Sequence, residues 1–446
     1  MRKIRFFFRY QLILAGTLLV TATLDQAALA CLKEKEEYFR LMEESGKEKT
    51  SAGKEVMAGN ADTSAENKKP ELKESHYMDR KIRVLLMTTD YQSYFHPSVT
   101  VVRNGKEHVY TPETFKVPGE KIKVPAHRDG LQVSSVQRQC GNPVYQGNLE
   151  IVKNPEGLLL INEVPLETYL EAVVPSEMPA SYEKEALKAQ AVCARTYAWK
   201  QMQEGRLKEL GVDVDDSVNF QVYQNISPQK ASSEAVNETR GKILCQNGEP
   251  IQAYYFSTSA GATSTDEIWG AQQPAPYLKS VICKFDSKQP WSYWETVIPW
   301  ENLEKRAQEL TGTEGKLLSA AVTEKSESGA VTGLQVVTEE SSFMLEEEYA
   351  IRQFLSPAGC MITEGDGTKI QGSTLLPSAY ITLDTEPGNY VRISGGGYGH
   401  GVGMSQNGAN EMAKEGYSFE EILNYFFYNI EITDCSLQEK GQCLSQ

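Results

Sequence analysis

The spacing of apolar positions changes character twice along the chain. Between Lys81 and about Leu160, IRVLLMTTD, SVTVV, HVYTP and KIKVP cluster or alternate β-branched residues between Pro, Gly and Asn breaks, which predicts short strands. At Pro179-Ala180-Ser181 the period becomes helical. SYEKEALKAQAVCARTYAWKQMQEG has Ser181 at the N-cap position, Glu183 and Glu185 in its first turn and Gly205 near its end. Ala186, Ala189, Ala191, Ala194 and Ala198 let other backbone approach closely, so this Ala-rich helix is expected deep inside a domain. Strand signals resume at GKILC, IQAYYF, YLKSV and VTGLQVVT, and FEEILNYFF predicts a late helix. The expected fold class is α+β without internal repeats: a small β-rich subdomain over 81–157, then a mixed α/β domain over 158–446.

The segments before residue 81 read differently. Arg2, Lys3, Arg5 and Arg9 precede an apolar run from about Leu12 to Leu24, the charge order of a secretory leader over residues 1–30. Ala28-Leu29-Ala30 fits a signal-peptidase site, and Cys31 follows it directly in the position of a lipoprotein cysteine. Cleavage, retention as an anchor and lipidation all remain open. Residues 31–80 are dominated by Glu, Lys, Ser, Asn and Gly, a composition that buries too little apolar surface to offset chain entropy. They read as a tether, so the expected location is outside the cytoplasm, at the outer face of the cytoplasmic membrane or in the cell wall.

With 446 residues and 40% hydrophobic content, the chain is long enough for one sizeable core or two smaller ones. A net charge of -15 repels a phosphate backbone over most of the surface and argues against nucleic acid as a partner. Any anionic ligand would therefore need local Lys or Arg. The eight cysteines form no CxxC pair, which argues against a zinc ribbon. Cys193, among alanines, reads as core; whether Cys435 pairs with Cys443 stays open.

Three segments carry candidate chemistry. In VPLETYLEAVVPSEMPASYEKEALKAQAVCARTYAWK, Glu177 lies between Pro175 and Pro179, held rigidly just ahead of the predicted helix N-terminus. Such a position would favour the carboxylate, so an acid there needs an apolar surround from Met178, Val173 and Val174. The plain alternative is a helix cap. Lys188 and Arg195, seven apart, share one helix face, either converging on a ligand or simply solvated. YYFSTSAGATSTDEIWG offers Ser257 and Ser259 as a polar wall or a plain turn; without a GxSxG elbow it is not a serine-hydrolase site. SGGGYGHGVGMSQNGA is dense in glycine, presents His400, Ser405 and Gln406, and lacks the Lys of a phosphate loop.

Together these segments resemble, in order and over roughly Leu158 to Ile432, the stage II sporulation protein D family. The resemblance implies a lytic transglycosylase that cuts MurNAc–GlcNAc bonds of peptidoglycan during engulfment and leaves 1,6-anhydro ends. Glu177 would be its catalytic acid, with Lys188 and Arg195 lining the cleft beside the loop bearing His400, Ser405 and Gln406, and with Ser257 and Ser259 as further substrate contacts. It also extends to enhancers of a cell-wall amidase, so a non-catalytic glycan binder is the rival. Implied partners are glycan strands, a cell-wall amidase and other sporulation membrane proteins. Some relatives carry Cys and His before a QVY where zinc is thought to sit. Here Asp215, Asn219 and Phe220 stand in that stretch, so no metal and no cofactor is carried over. A mechanism with two carboxylates would need Asp266 or Glu267 as the second.

Overall fold

The computed structural model describes residues 80–435. The leader, the tether up to residue 79, Cys31 and Cys443 lie outside them. The α+β expectation holds: seven α-helices and several sheets make up the described chain. The helices are α1 (Leu166–Glu177), α2 (Lys184–Glu204), α3 (Lys230–Glu238), α4 (Trp300–Thr311), α5 (Glu348–Phe354), α6 (Gln406–Lys414) and α7 (Phe419–Phe426).

The predicted strands at Lys81–Leu86, Val99–Arg103, Lys106–Tyr110 and Lys121–Val124 all form. One five-stranded sheet runs in the order Lys121–Val124, Asn148–Asn154, Gly157–Pro165, Lys81–Leu86, Val214–Asp215. Lys81–Leu86 pairs antiparallel with Gly157–Pro165, from Lys81↔Pro165 to Leu86↔Leu160, and parallel with Val214–Asp215. The boundary expected at 157/158 therefore falls where a strand begins that is paired on both sides to the preceding segment. Ile82 and Leu160 from this sheet share one buried cluster with Tyr169, Ala189, Val192, Ile243, Met404 and Phe426. That single core carries the candidate site.

A second core lies elsewhere in the sequence. Trp294, Ile298, Leu334, Val336, Ile351 and Ile393 form their own buried cluster. It is built from a sheet ordered Lys369–Gln371, Met361–Glu364, Trp294–Pro299, Tyr390–Gly395, Ile381–Glu386, from a three-stranded sheet over residues 317–345, and from α4 and α5. This unit interrupts the chain between the second and third motifs. Apolar periodicity does not mark it off, because its strands look like those around it.

Local differences have local causes. The Ala-rich helix begins after Glu183 rather than at Ser181 and stops at Gly205, which takes the left-handed conformation (φ 62°). Its alanines are fully buried, as is Cys193. YLKSV is not a strand; Val281 instead exchanges hydrogen bonds with Thr263 across a loop. IQAYYF is split: only Tyr255–Phe256 is extended within it, as a short strand paired in parallel with Met404–Ser405. FEEILNYF forms α7, capped reciprocally by Ser418 and Glu421.

Candidate active site

Glu177 is the last residue of α1, and this reverses the expected placement. Pro175 sits inside the last turn of that helix instead of preceding it. There it gives up one intrahelical N–H bond, and the neighbouring Ser176 hydroxyl bonds to the Ala172 carbonyl at 2.7 Å. The helix stops because Pro179 drives Met178 into extended geometry (φ -137°, ψ 134°). Glu177 thus stands at the negative end of the α1 dipole, not at the positive end of α2. Val173, Val174 and Met178, its neighbours in sequence, are fully buried, and Glu177 itself is only 2% exposed.

Its carboxylate is held by backbone. Oε1 accepts the Val222 N–H at 2.7 Å, from the segment that follows the edge strand Val214–Asp215. Beside that segment, the Gln221 side chain donates to the Tyr255 hydroxyl (3.1 Å) and accepts from the Tyr169 hydroxyl (3.4 Å). Burial first, and the Glu177 charge among the causes after it, push both phenols well above their ordinary range. They stay neutral O–H groups beside the acid.

The second and third motifs are laced together by backbone. Thr258 and Tyr398 exchange N–H···O=C bonds of 3.1 and 2.8 Å, Met404 donates to Tyr254 (3.0 Å) and Asn407 to Ser257 (2.9 Å). Glycine is needed for this approach: a Cβ on Gly403, whose φ is +81°, would lie 2.1 Å from the Tyr254 carbonyl oxygen. The loop then enters α6, where the Ser405 hydroxyl caps the Gly408 N–H at 3.1 Å. From α6, Gln406 donates to the Glu177 carbonyl at 2.9 Å and to Gln190 of α2 at 3.3 Å. Asn407 accepts from the Tyr182 hydroxyl (2.6 Å), and Asn410 from the Glu183 N–H (2.9 Å). All three motifs therefore meet at the α1–α2 turn.

Residues 154–245 match the family described as stage II sporulation protein, and residues 277–403 match a domain of unknown function, DUF8618. Stage II sporulation protein D of Bacillus subtilis (strain 168) is 33% identical over 309 residues, 66% of this chain and 78% of that protein. The chain belongs to the stage II sporulation protein D family. The Bacillus amyloliquefaciens protein of the same name is 31% identical over 309 residues, with the same coverage. The amidase enhancer of Bacillus subtilis is 32% identical over 299 residues, 59% of this chain but only 40% of that protein's length. The DUF8618 match covers most of the inserted unit with its own core.

Within this family member, the two cations assigned to the cleft turn away from it. Lys188 and Arg195 do share a face of α2, but that face packs on α3. Arg195 is fully buried, forks onto Glu167 (2.7 and 2.8 Å) and donates to the Val236 and Lys242 carbonyls. Lys188 pairs with Glu185 (2.7 Å) and Glu238 (3.1 Å). Arg195 is therefore a structural group here, a correction to its placement as a ligand of substrate. The α2 face turned to the site instead carries Gln190, Ala194, Tyr197 and Gln201, at helical spacing.

Ser257 and Ser259 are buried rather than lining a surface. Ser257 bonds to Thr258, while the Ser259 N–H donates to Asp286 at 2.9 Å. Asp286, absent from the sequence reading, is buried, and burial raises its carboxyl above the usual range. The His400 ring is half-buried against Trp269, Tyr254 and Phe256, and its Nδ1 accepts from the Val402 N–H. Asp215 accepts from Tyr94 (2.9 Å) and Ser217 (2.7 Å), and Phe220 lies under the Arg206 guanidinium. Asp266 uses Oδ1 to accept the Ala275 N–H at 3.0 Å. Gln190, Gln221, Tyr169 and Tyr255 escaped sequence reasoning because carboxamides and phenols carry no spacing signature.

Proposed function

We propose that this chain is a peptidoglycan lytic transglycosylase with Glu177 as its one titrating catalytic group. The supporting observation is the placement of that carboxyl at the meeting point of all three motifs, oriented through Oε1 by the Val222 amide and through its own backbone by Gln406. As the acid, Glu177 gives its proton to the oxygen bridging N-acetylmuramic acid and N-acetylglucosamine. The C1–O bond breaks and the departing sugar keeps the proton as its 4-hydroxyl. The carboxylate then takes the proton of the muramyl 6-hydroxyl, whose oxygen closes onto C1, and the acid is regenerated. No water is consumed, so a second carboxylate is not required. The expected place of action is outside the cytoplasm, on the wall side of the membrane, with a cell-wall amidase as the partner named by the amidase-enhancer likeness.

One observation favours a second reading. At 2% exposure Glu177 is nearly closed off, and a glycan-binding enhancer of an amidase needs no accessible acid. Incubation of the purified protein with peptide-free glycan strands separates the two. Anhydromuramyl products that disappear in Glu177→Gln support the transglycosylase. Glycan retention with no products supports the enhancer.

A further inference from the structure

A row of rings that the chemistry above does not use starts at Tyr197, on the α2 face turned to the site. Tyr254 and Phe256 flank Tyr255 in sequence. Trp269 stands edge-on between Tyr254 (centroids 5.0 Å, 74°) and His400 (5.1 Å, 61°). Phe256 backs His400 at 5.7 Å, and Tyr197 of α2 extends the row from Tyr254 at 6.2 Å. Trp269, Tyr254 and His400 are each half-buried, with Trp269 and Tyr254 packed against the core.

The backbone is committed to presenting this row. His400 stands between Gly399 (φ +105°) and Gly401 (φ +83°), and a Cβ on Gly401 would overlap the Tyr380 ring. Because Nδ1 accepts the Val402 N–H, the neutral imidazole carries its hydrogen on Nε2. At the end of α2, exposed Arg206 lies on Phe220 at 4.7 Å with Gln201 beside it. Rigid ring faces with a few polar groups at their edges suit a flat ligand with apolar faces and a polar rim. A pyranose with its ring hydroxyls equatorial has that form, whereas nucleobases on a phosphate backbone are disfavoured by the net charge of -15.

We propose that Trp269, Tyr254 and His400 form a sugar-stacking subsite for one N-acetylhexosamine of the glycan strand, adjoining the unit on which Glu177 acts. The row joins the site at Tyr197, which shares the α2 face of Gln190, the partner of Gln406. This rests on the reading that glycan is the ligand of the site. Trp269 supplies the stacking face, and His400 Nε2–H reaches for the amide carbonyl or a hydroxyl.

The test uses the full chain carrying Glu177→Gln, so that ligand is not consumed, titrated calorimetrically with N-acetylglucosamine hexamer and with peptide-free glycan strands. Adding Trp269→Ala should weaken both by about tenfold or more at an unchanged melting temperature, and Trp269→Phe should restore most of the affinity. Should Trp269→Ala melt early, Tyr254→Ala carries the same expectation. Unaltered affinity in a folded Trp269→Ala or Tyr254→Ala protein overturns the subsite, as does absence of glycan binding by the parent. If Glu177→Gln still cleaves while Trp269→Ala loses affinity, the transglycosylase reading fails and the subsite stands.

Discussion

The Gln406 side chain donates to the backbone carbonyl of Glu177 at 2.9 Å, across 229 positions of sequence. That bond fixes the end of α1 from outside, while the Val222 amide fixes the side chain. Gln406→Leu should leave folding intact and lower turnover on glycan strands by about tenfold to a hundredfold, since small misplacements of a catalytic group have effects of that size. Steady-state kinetics checks it: the loss should appear in kcat with little change in KM.

Arg195 and Lys188 should part company when replaced. Arg195→Ala leaves Glu167 buried without its fork, a change expected to cost about 3–5 kcal/mol in urea unfolding, whereas pairing Arg195→Met with Glu167→Leu should recover much of it. Lys188→Ala removes a cation whose partners Glu185 and Glu238 remain solvated, and should cost about 1 kcal/mol or less. An Arg195→Ala protein of native stability would contradict the buried-pair reading.

The start of the folded chain is set by sheet topology. Lys81–Leu86 is an interior strand with Gly157–Pro165 on one side and Val214–Asp215 on the other, and the latter leads into the segment that holds Glu177. A chain starting at Arg80 should therefore fold and keep activity. One starting at Met87 should lose both, by circular dichroism and by assay on glycan strands.

Glu163 gives a pH signature. Burial raises its carboxyl, but hydrogen bonds from Asn148, Lys123 and Lys81 outweigh this and hold it down to about 2, below an ordinary value of 4.5. Because the folded value is the lower one, the group stabilises the fold fully above pH 4.5, and that contribution fades as pH falls towards 2. Melting temperatures of wild type and Glu163→Gln should differ at pH 7 and converge at the acid end of that window.

Much of this was legible in the sequence where a local rule applied. The strands at Lys81–Leu86 and Val99–Arg103, the Ala-rich α2 and the capped α7 each followed from periodicity and end signals. α1 was hidden because Pro175 reads as a breaker, yet the helix runs through it to Glu177, and that single misreading put Glu177 at the wrong helix end. The shared face of Lys188 and Arg195 was right, but periodicity cannot say which neighbour a face meets, and here it meets α3. The contacts that assemble the site, Gln406 to Glu177 and Val222 to Glu177, depend on long-range closure. Apolar periodicity did not set the inserted unit apart; its separate core does.

The central claim is tested most directly by Glu177→Gln, which keeps size and a hydrogen-bonding head but has no proton to give. In a sample shown free of other hydrolases, release of anhydromuramyl ends from peptide-free glycan strands should fall by about a hundredfold to ten-thousandfold, with the fold unchanged. Cleavage at near wild-type rate would remove Glu177 from the chemistry.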